Sequence, residues 1–267
     1  MHMESMLVVV AIYLVLGIGA GFLSGLLGAG GGLIMVPGLV FIFHWETLNS
    51  AIAMHVAVGT SLAAMVPLAM RSLLSHMEHD IPFFPIYKKM APAVILGVIG
   101  GGILARYIHS NNLRIIFGIF VLMMAMSLLF QRKVKTERQL PGIMGMSLAG
   151  GFVGVQSGML GVGGSAFSVP FLTHRGVNIH TAVVVSIAIA ITVAVLGTIT
   201  FMLTGIYAVG LPRWSTGFIY WPAWFGLVIG GVLIAPIGAR ISHLISPERL
   251  KFFFGLFLIV IAVKMLV

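Results

Sequence analysis

The same glycine-rich, helix-breaking stretch occurs twice in this chain, half a chain length apart. Gly21 to Pro37 matches Gly154 to Pro170 at nine of seventeen positions, at a constant offset of 133 residues. The cores of the two copies are Gly28-Ala29-Gly30-Gly31-Gly32 followed by Val36-Pro37, and Gly161-Val162-Gly163-Gly164-Ser165 followed by Val169-Pro170. Both interrupt intensely apolar sequence. Backbone that leaves the helix at membrane depth is tolerated only where protein buries it or where it lines a polar cavity. A pair of such interruptions at corresponding places in two halves points to the substrate site of a transporter.

The surrounding sequence is that of a membrane protein. It is 60% hydrophobic and 8% charged, against about 25% charged in a soluble domain. Apolar runs such as Leu7 to Leu27, Ala51 to Met70 and Thr181 to Leu203 approach the ~20 residues that a spanning helix needs. The net charge of +9 is spread over boundary positions such as Lys88-Lys89 and Arg132-Lys133, as cationic loops require, so no nucleic-acid partner is expected. With no cysteine there is no disulfide or thiolate chemistry, and neither a metal site nor a cofactor is expected. Met1 to Met6 carries no Lys or Arg, which argues against a signal peptide.

Further matches follow the glycine motif in the same order. His55-Val56-Ala57-Val58-Gly59-Thr60-Ser61 pairs with His180-Thr181-Ala182-Val183-Val184-Val185-Ser186, and Pro92-Ala93…Gly100-Gly101 with Pro222-Ala223…Gly230-Gly231. The chain is therefore expected to be an all-α integral membrane protein of two homologous repeats, residues 1–135 and 136–267. It should have about eight transmembrane helices and two half-length, broken or re-entrant segments. The first short segment, Leu33 to Phe43, has 11 residues, which at ~1.5 Å per residue cannot cross a ~30 Å core alone. On an eight-span count, nine of the fifteen Lys and Arg residues lie on the side of both termini. That bias predicts cytoplasmic termini in a bacterial-type inner membrane. If the short segments also cross, each half has five spans and the repeats are inverted; the sequence leaves both arrangements open.

Several residue types near the breaks can bind an anion. Gly28, Gly30, Gly31 and Gly32, and in the second copy Gly161, Gly163, Gly164 and Ser165, can turn backbone N–H groups inward as an anion nest. A half-helix starting there adds the positive end of its dipole. Tight helix packing by small residues would also explain the glycines. The neighbouring donors are Ser24, Asn49, His55, Thr60 and Ser61 in the first half, and Gln156, Ser157, His180 and Ser186 in the second. All six acidic residues lie at or between the ends of apolar runs. Cation transporters usually place carboxylates within the membrane, so the substrate is expected to be anionic or neutral. His55 and His180 stand at equivalent positions and are candidates for proton coupling. Asn49 and Asn178 read as N-caps of the helices that follow them.

These motifs, together with the Arg71…His76…Asp80 loop and the Ala105-Arg106…Leu113-Arg114 hairpin, resemble the sulfite exporter TauE/SafE family, also called the toluene-sulfonate uptake permeases. The resemblance covers essentially the whole chain. It implies transport of sulfur-containing or organic anions such as sulfite, sulfonates or sulfoacetate, in either direction. Val185 stands where the first repeat has Thr60, so the two half-sites are expected to differ. A secondary transporter, not an enzyme, is the reading these residues favour, with a small anion and the bilayer as partners and a homo-oligomer allowed. Two alternatives remain at this point. Ser157, in Gly154-Val155-Gln156-Ser157-Gly158, with His180 as base, could form an intramembrane hydrolase. The chain could also be a non-transporting scaffold.

Overall fold

The computed structural model describes residues 3–27, 31–46, 48–77, 82–130, 140–242 and 247–267. Ten helices follow one another: α1 (Met3–Leu27), α2 (Gly32–Trp45), α3 (Ser50–Met77), α4 (Phe84–Tyr107), α5 (Ser110–Leu129), α6 (Ile143–Leu160), α7 (Ser165–His174), α8 (Ile179–Gly205), α9 (Trp221–Ser242) and α10 (Pro247–Leu266). A two-stranded hairpin, β1 (Ser215–Thr216) and β2 (Ile219–Tyr220), precedes α9. Among the described residues, seven helices are long and apolar enough to cross a membrane, and α10 is apolar over Phe252–Leu266. The chain is thus a multi-pass, nearly all-α membrane protein. Its long–short–long–long–long order is the eight-plus-two arrangement expected from the apolar runs.

Side-chain neighbours give the direction of each helix. α2 doubles back along α1: Gly31 faces Ala20, Gly38 faces Leu16, and the Phe43 ring meets Tyr13. α7 likewise doubles back along α6, with Gly164 against Val153 and Ser157 and the Phe167 ring 5.0 Å from Phe152. α3 and α8 are antiparallel, since Gly59 meets Phe201 while Gly197 meets Leu62. α5 and α10 are antiparallel too, Gly118 lying on Met265 and Leu266 and Gly255 on Leu129. By contrast α4 runs parallel to α6, and α1 parallel to α9. The short helices therefore return the chain across the bundle. Both the start of α1 and the end of α10 lie on one face, called here the terminal face.

Glycines hold the two parallel pairs together. Gly97 and Gly101 on α4 meet Gly151 and Val155 on α6, and Gly150, Gly154 and Gly158 on α6 meet the backbone of Met90, Val94 and Val98. Gly17 and Gly21 on α1 lie on Gly226, Leu227 and Gly231 of α9. A Cβ at any of these positions would sit within about 3 Å of main-chain atoms of the partner helix. Small residues at four-residue spacing let backbones approach this closely in membranes. Part of the glycine excess is therefore helix packing, Gly21 and Gly154 of the duplicated stretch included.

Candidate functional site

The two breaks meet half-way along the long helices. α2 rises about 21 Å over its 14 residues and α7 about 15 Å over its 10, at ~1.5 Å per residue, toward opposite faces. Where they begin, Gly32 lies against the Gly161 carbonyl and Val162 Cα. Ser61 of α3 donates its hydroxyl to the same Gly161 carbonyl at 3.3 Å. Gly28 and Gly30 lie outside the described residues.

The second break is closed by two left-handed glycines. Gly161 (φ 71°) ends α6 and Gly164 (φ 63°) precedes α7, conformations costly for residues with a Cβ. Gly161 N–H donates to Ser157, Gly164 N–H to Val162, and Phe167 and Ser168 N–H to Gly164. Among the described residues, the N–H groups of Val162, Gly163 and Ala166 have no acceptor. At the first break Ile34 and Met35 donate to Gly31, leaving Gly32 and Leu33 N–H with no acceptor among the described residues. Two half-helix N-termini thus face one small volume, and among the described residues that of α7 carries free amides. Their partial positive charges add there.

Two hydroxyls in this volume are unused. Ser157 Oγ and Ser165 Oγ are buried with no hydrogen-bond partner. Their neighbours are satisfied internally: Ser168 Oγ lies 2.9 Å from both the Gly164 carbonyl and Ser186 Oγ, either of which can accept its one proton, and Ser186 Oγ donates to Ala182. Stranding a buried hydroxyl costs about 1–3 kcal/mol, so two at one place need a reason. Ser24 on α1 and Gln156 on α6 are half-buried.

Other expected site residues lie elsewhere. Asn49 and Asn178 are helix caps, accepting from Ala51 N–H at 3.0 Å and His180 N–H at 2.9 Å. Asn49 sits at the terminal face, beyond the far end of α2 from the break. Thr60 is buried and its Oγ1 accepts from Tyr220 N–H. His55 is buried near the terminal face; its Nε2–H donates to the Ala105 carbonyl at 3.0 Å and its ring stacks on Phe218, centroids 5.1 Å apart. His180 is exposed at the start of α8, on the opposite face. The two sequence-equivalent histidines therefore lie near opposite faces, because antiparallel α3 and α8 carry equivalent positions to opposite ends. Ser157 Oγ is buried without a hydrogen-bond partner while His180 is exposed, so the two make no hydrogen-bonded dyad.

Sequence reasoning missed the 215–220 hairpin, which tucks between α3 and α8. Phe218 N–H donates to Phe201 and the Phe218 ring covers His55. Gly217, at the first central position of the turn, was its signal, since such turns favour glycine there. An apolar recess of about 370 Å³ lined by Ala63, Val66, Pro67, Met70, Thr198, Trp221 and Trp224 offers no polar surface and does not suit an anion.

Paired broken helices in a multi-pass bundle are an architecture used by membrane transporters, and comparison with known proteins places the chain among them. Residues 13–265 match the sulfite exporter TauE/SafE family, and the chain belongs to that family. It is 31% identical over 255 residues to a probable membrane transporter protein of Haemophilus influenzae, covering 94% of this chain and 96% of that protein. It is 26% identical to the probable membrane transporter protein YunE of Bacillus subtilis (83% and 87% covered) and 26% identical to YfcA of Escherichia coli (83% and 76% covered). No solved structure matches the chain.

Proposed function

We propose that this protein is a secondary transporter of small sulfur-containing or organic anions of the sulfite, sulfonate and sulfoacetate class, bound where the two breaks meet. The observation that carries this reading is the convergence of the α2 and α7 N-termini with the stranded hydroxyls of Ser157 and Ser165. An anion would accept from those hydroxyls and from the free amides of Val162, Gly163 and Ala166, all of which lack acceptors among the described residues. Oxygen-rich anions suit donors arranged this way. No carboxylate is placed at the breaks among the described residues, which supports an anion over a cation. The family name supports sulfite and its relatives as the first substrates to test.

The helix order and packing support two inverted repeats. Exchanging α1–α5 with α6–α10 turns α1·α9 into α6·α4, and leaves α3·α8 and α5·α10 unchanged. Inverted repeats around a midplane site are a common basis for alternating access. The break contacts seen here would then be the closed state between two openings.

Chain direction also changes the expected orientation. With the short helices crossing, only Arg106, Arg114, Arg213 and Lys264 of the fifteen basic residues belong to the terminal face. The other eleven belong by sequence to the opposite side, which the positive-inside rule assigns to the cytoplasm. Both termini are then outside, the reverse of the eight-span expectation. A C-terminal alkaline phosphatase fusion in a bacterial inner membrane is expected to be active and a green fluorescent protein fusion dark. The opposite pair of results would refute this orientation. The transport reading itself is tested in reconstituted vesicles. Flux of sulfite or a sulfonate above that of protein-free vesicles is expected, and no flux of any anion in the class would count against it.

A further inference from the structure

We propose that Glu46, seated between Tyr13 and Tyr220 at the outer end of α2, is a proton-binding site that couples protonation to the position of that half-helix. The argument rests on the reading of α2 as half of the substrate site. Glu46 is the C-cap residue of α2, where a carboxylate meets the negative end of the helix dipole. Its Oε1 is buried and has no hydrogen-bond partner. The Tyr13 hydroxyl comes near enough to influence the carboxylate, yet the two do not reach hydrogen-bond geometry, and Tyr13 Oη is likewise buried without a partner. Around them Tyr13, Phe43 and Tyr220 pack edge to face, with centroids 6.0 to 6.4 Å apart.

No cation offsets this seat among the described residues. Among the described residues, α1 contributes Tyr13 and the hairpin contributes Tyr220, and no other titratable group acts on Glu46. His44, its neighbour on α2, is exposed, as is Arg213 in the connection after α8. Lys264 of α10 lies instead over the Phe41 ring, 5.9 Å from the centroid. Asn49, at the start of α3, is committed to Ala51. A metal cation would need several oxygen ligands, and aromatic rings form the walls here. A proton needs one oxygen, and the neutral acid is the form that this apolar seat favours. Burial accordingly holds the Glu46 carboxyl above the ordinary glutamate range.

Function follows from place. Tyr220 N–H is bonded to Thr60 on α3, one residue from the Ser61 that donates to Gly161 at the break. Tyr220 continues into α9, which packs on α1. Losing the proton puts a charge among the three rings. Its escape toward water would release the outer end of α2, whose inner end forms the break.

The test uses purified wild-type, Glu46→Gln and Tyr13→Phe protein without any anion substrate. A carboxyl raised in the folded state stabilises it at low pH, and that contribution is lost as pH rises through the folded value. Wild-type Tm is therefore expected to fall relative to Glu46→Gln with rising pH, above the ordinary glutamate range of about 4.3. The Tyr13 hydroxyl favours the charged form, so Tyr13→Phe should move the wild-type transition to higher pH. Infrared difference spectra should show a protonated-carboxyl C=O band in wild type that Glu46→Gln lacks. This band keeps the test open if the Gln variant's Tm is compromised, because the pH dependence can then be read from wild type and Tyr13→Phe. Parallel Tm profiles with no band lost would overturn the proposal. So would a sodium-dependent rise in Tm at fixed pH that Glu46→Gln abolishes. As no anion is present, these results can fail while anion binding at the breaks stands, and the reverse.

Discussion

Leucine in place of Gly101 or Gly154 is expected to leave little folded protein in the membrane. At both positions a bare Cβ already reaches partner main chain: Val155 carbonyl for Gly101, and Val94 carbonyl and Cα for Gly154. Backbone on both sides means that no side chain can swing away. The helices must separate, and the loss runs along a seam of five glycines, Gly97, Gly101, Gly150, Gly154 and Gly158. Overpacking typically costs about 1–3 kcal/mol, and an entire lost seam costs more. In membranes this close packing carries much of the association energy, since lipid is as apolar as the helices. Monodisperse yield and Tm in mild detergent read the effect. Gly100 is the control, because a Cβ there meets nothing within 4 Å, and Gly100→Ala should behave as wild type. Equal yields for Gly154→Leu and Gly100→Ala would contradict the packing account.

The second large effect has opposite signs in two states of one variant. Ser157→Ala/Ser165→Ala removes two buried oxygens that have no hydrogen-bond partner among the described residues. Relieving that desolvation is worth about 1–3 kcal/mol for each group, so the ligand-free variant should melt higher than wild type. Those hydroxyls are also donors to the proposed anion, so the variant should lose the Tm rise that sulfite or a sulfonate gives wild type. A purely structural role for the serines predicts a lower Tm without ligand. A packing-only role predicts an unchanged ligand response.

Much of this fold was legible because apolar length and glycine breaks are local signals. The eight long helices, the two short ones and the Asn49 and Asn178 caps follow from spacing and capping chemistry within a few residues. The direction of the short helices did not. An 11-residue apolar run is too short to span alone, but α2 begins level with Ala20 of α1 and needs only the remaining distance to the terminal face. That level is set by packing against α1. The same reversal puts His55 and His180, equivalent in sequence, near opposite faces. Glu46 read as a boundary acid, because its seat is built by Tyr13 and Tyr220, 33 residues before it and 174 after it. At the breaks, Ser157, Ser165, Ser61 and the glycines were legible from the duplication, while which hydroxyls are left unused depends on three-dimensional hydrogen bonding.

The central claim is that the two breaks form one anion site, and ligand-induced stabilisation tests it most directly. Purified wild type and Ser157→Ala/Ser165→Ala would be melted with sulfite, thiosulfate, sulfoacetate, taurine, an aryl sulfonate and simple carboxylates. A ligand that binds only the folded state raises Tm by mass action, about 2.7 kcal/mol at a hundred times Kd. The account predicts a concentration-dependent rise in wild type for at least one sulfur oxyanion, and none in the double variant. An equal rise in both proteins, or a flat response of wild type to the whole panel, would contradict it.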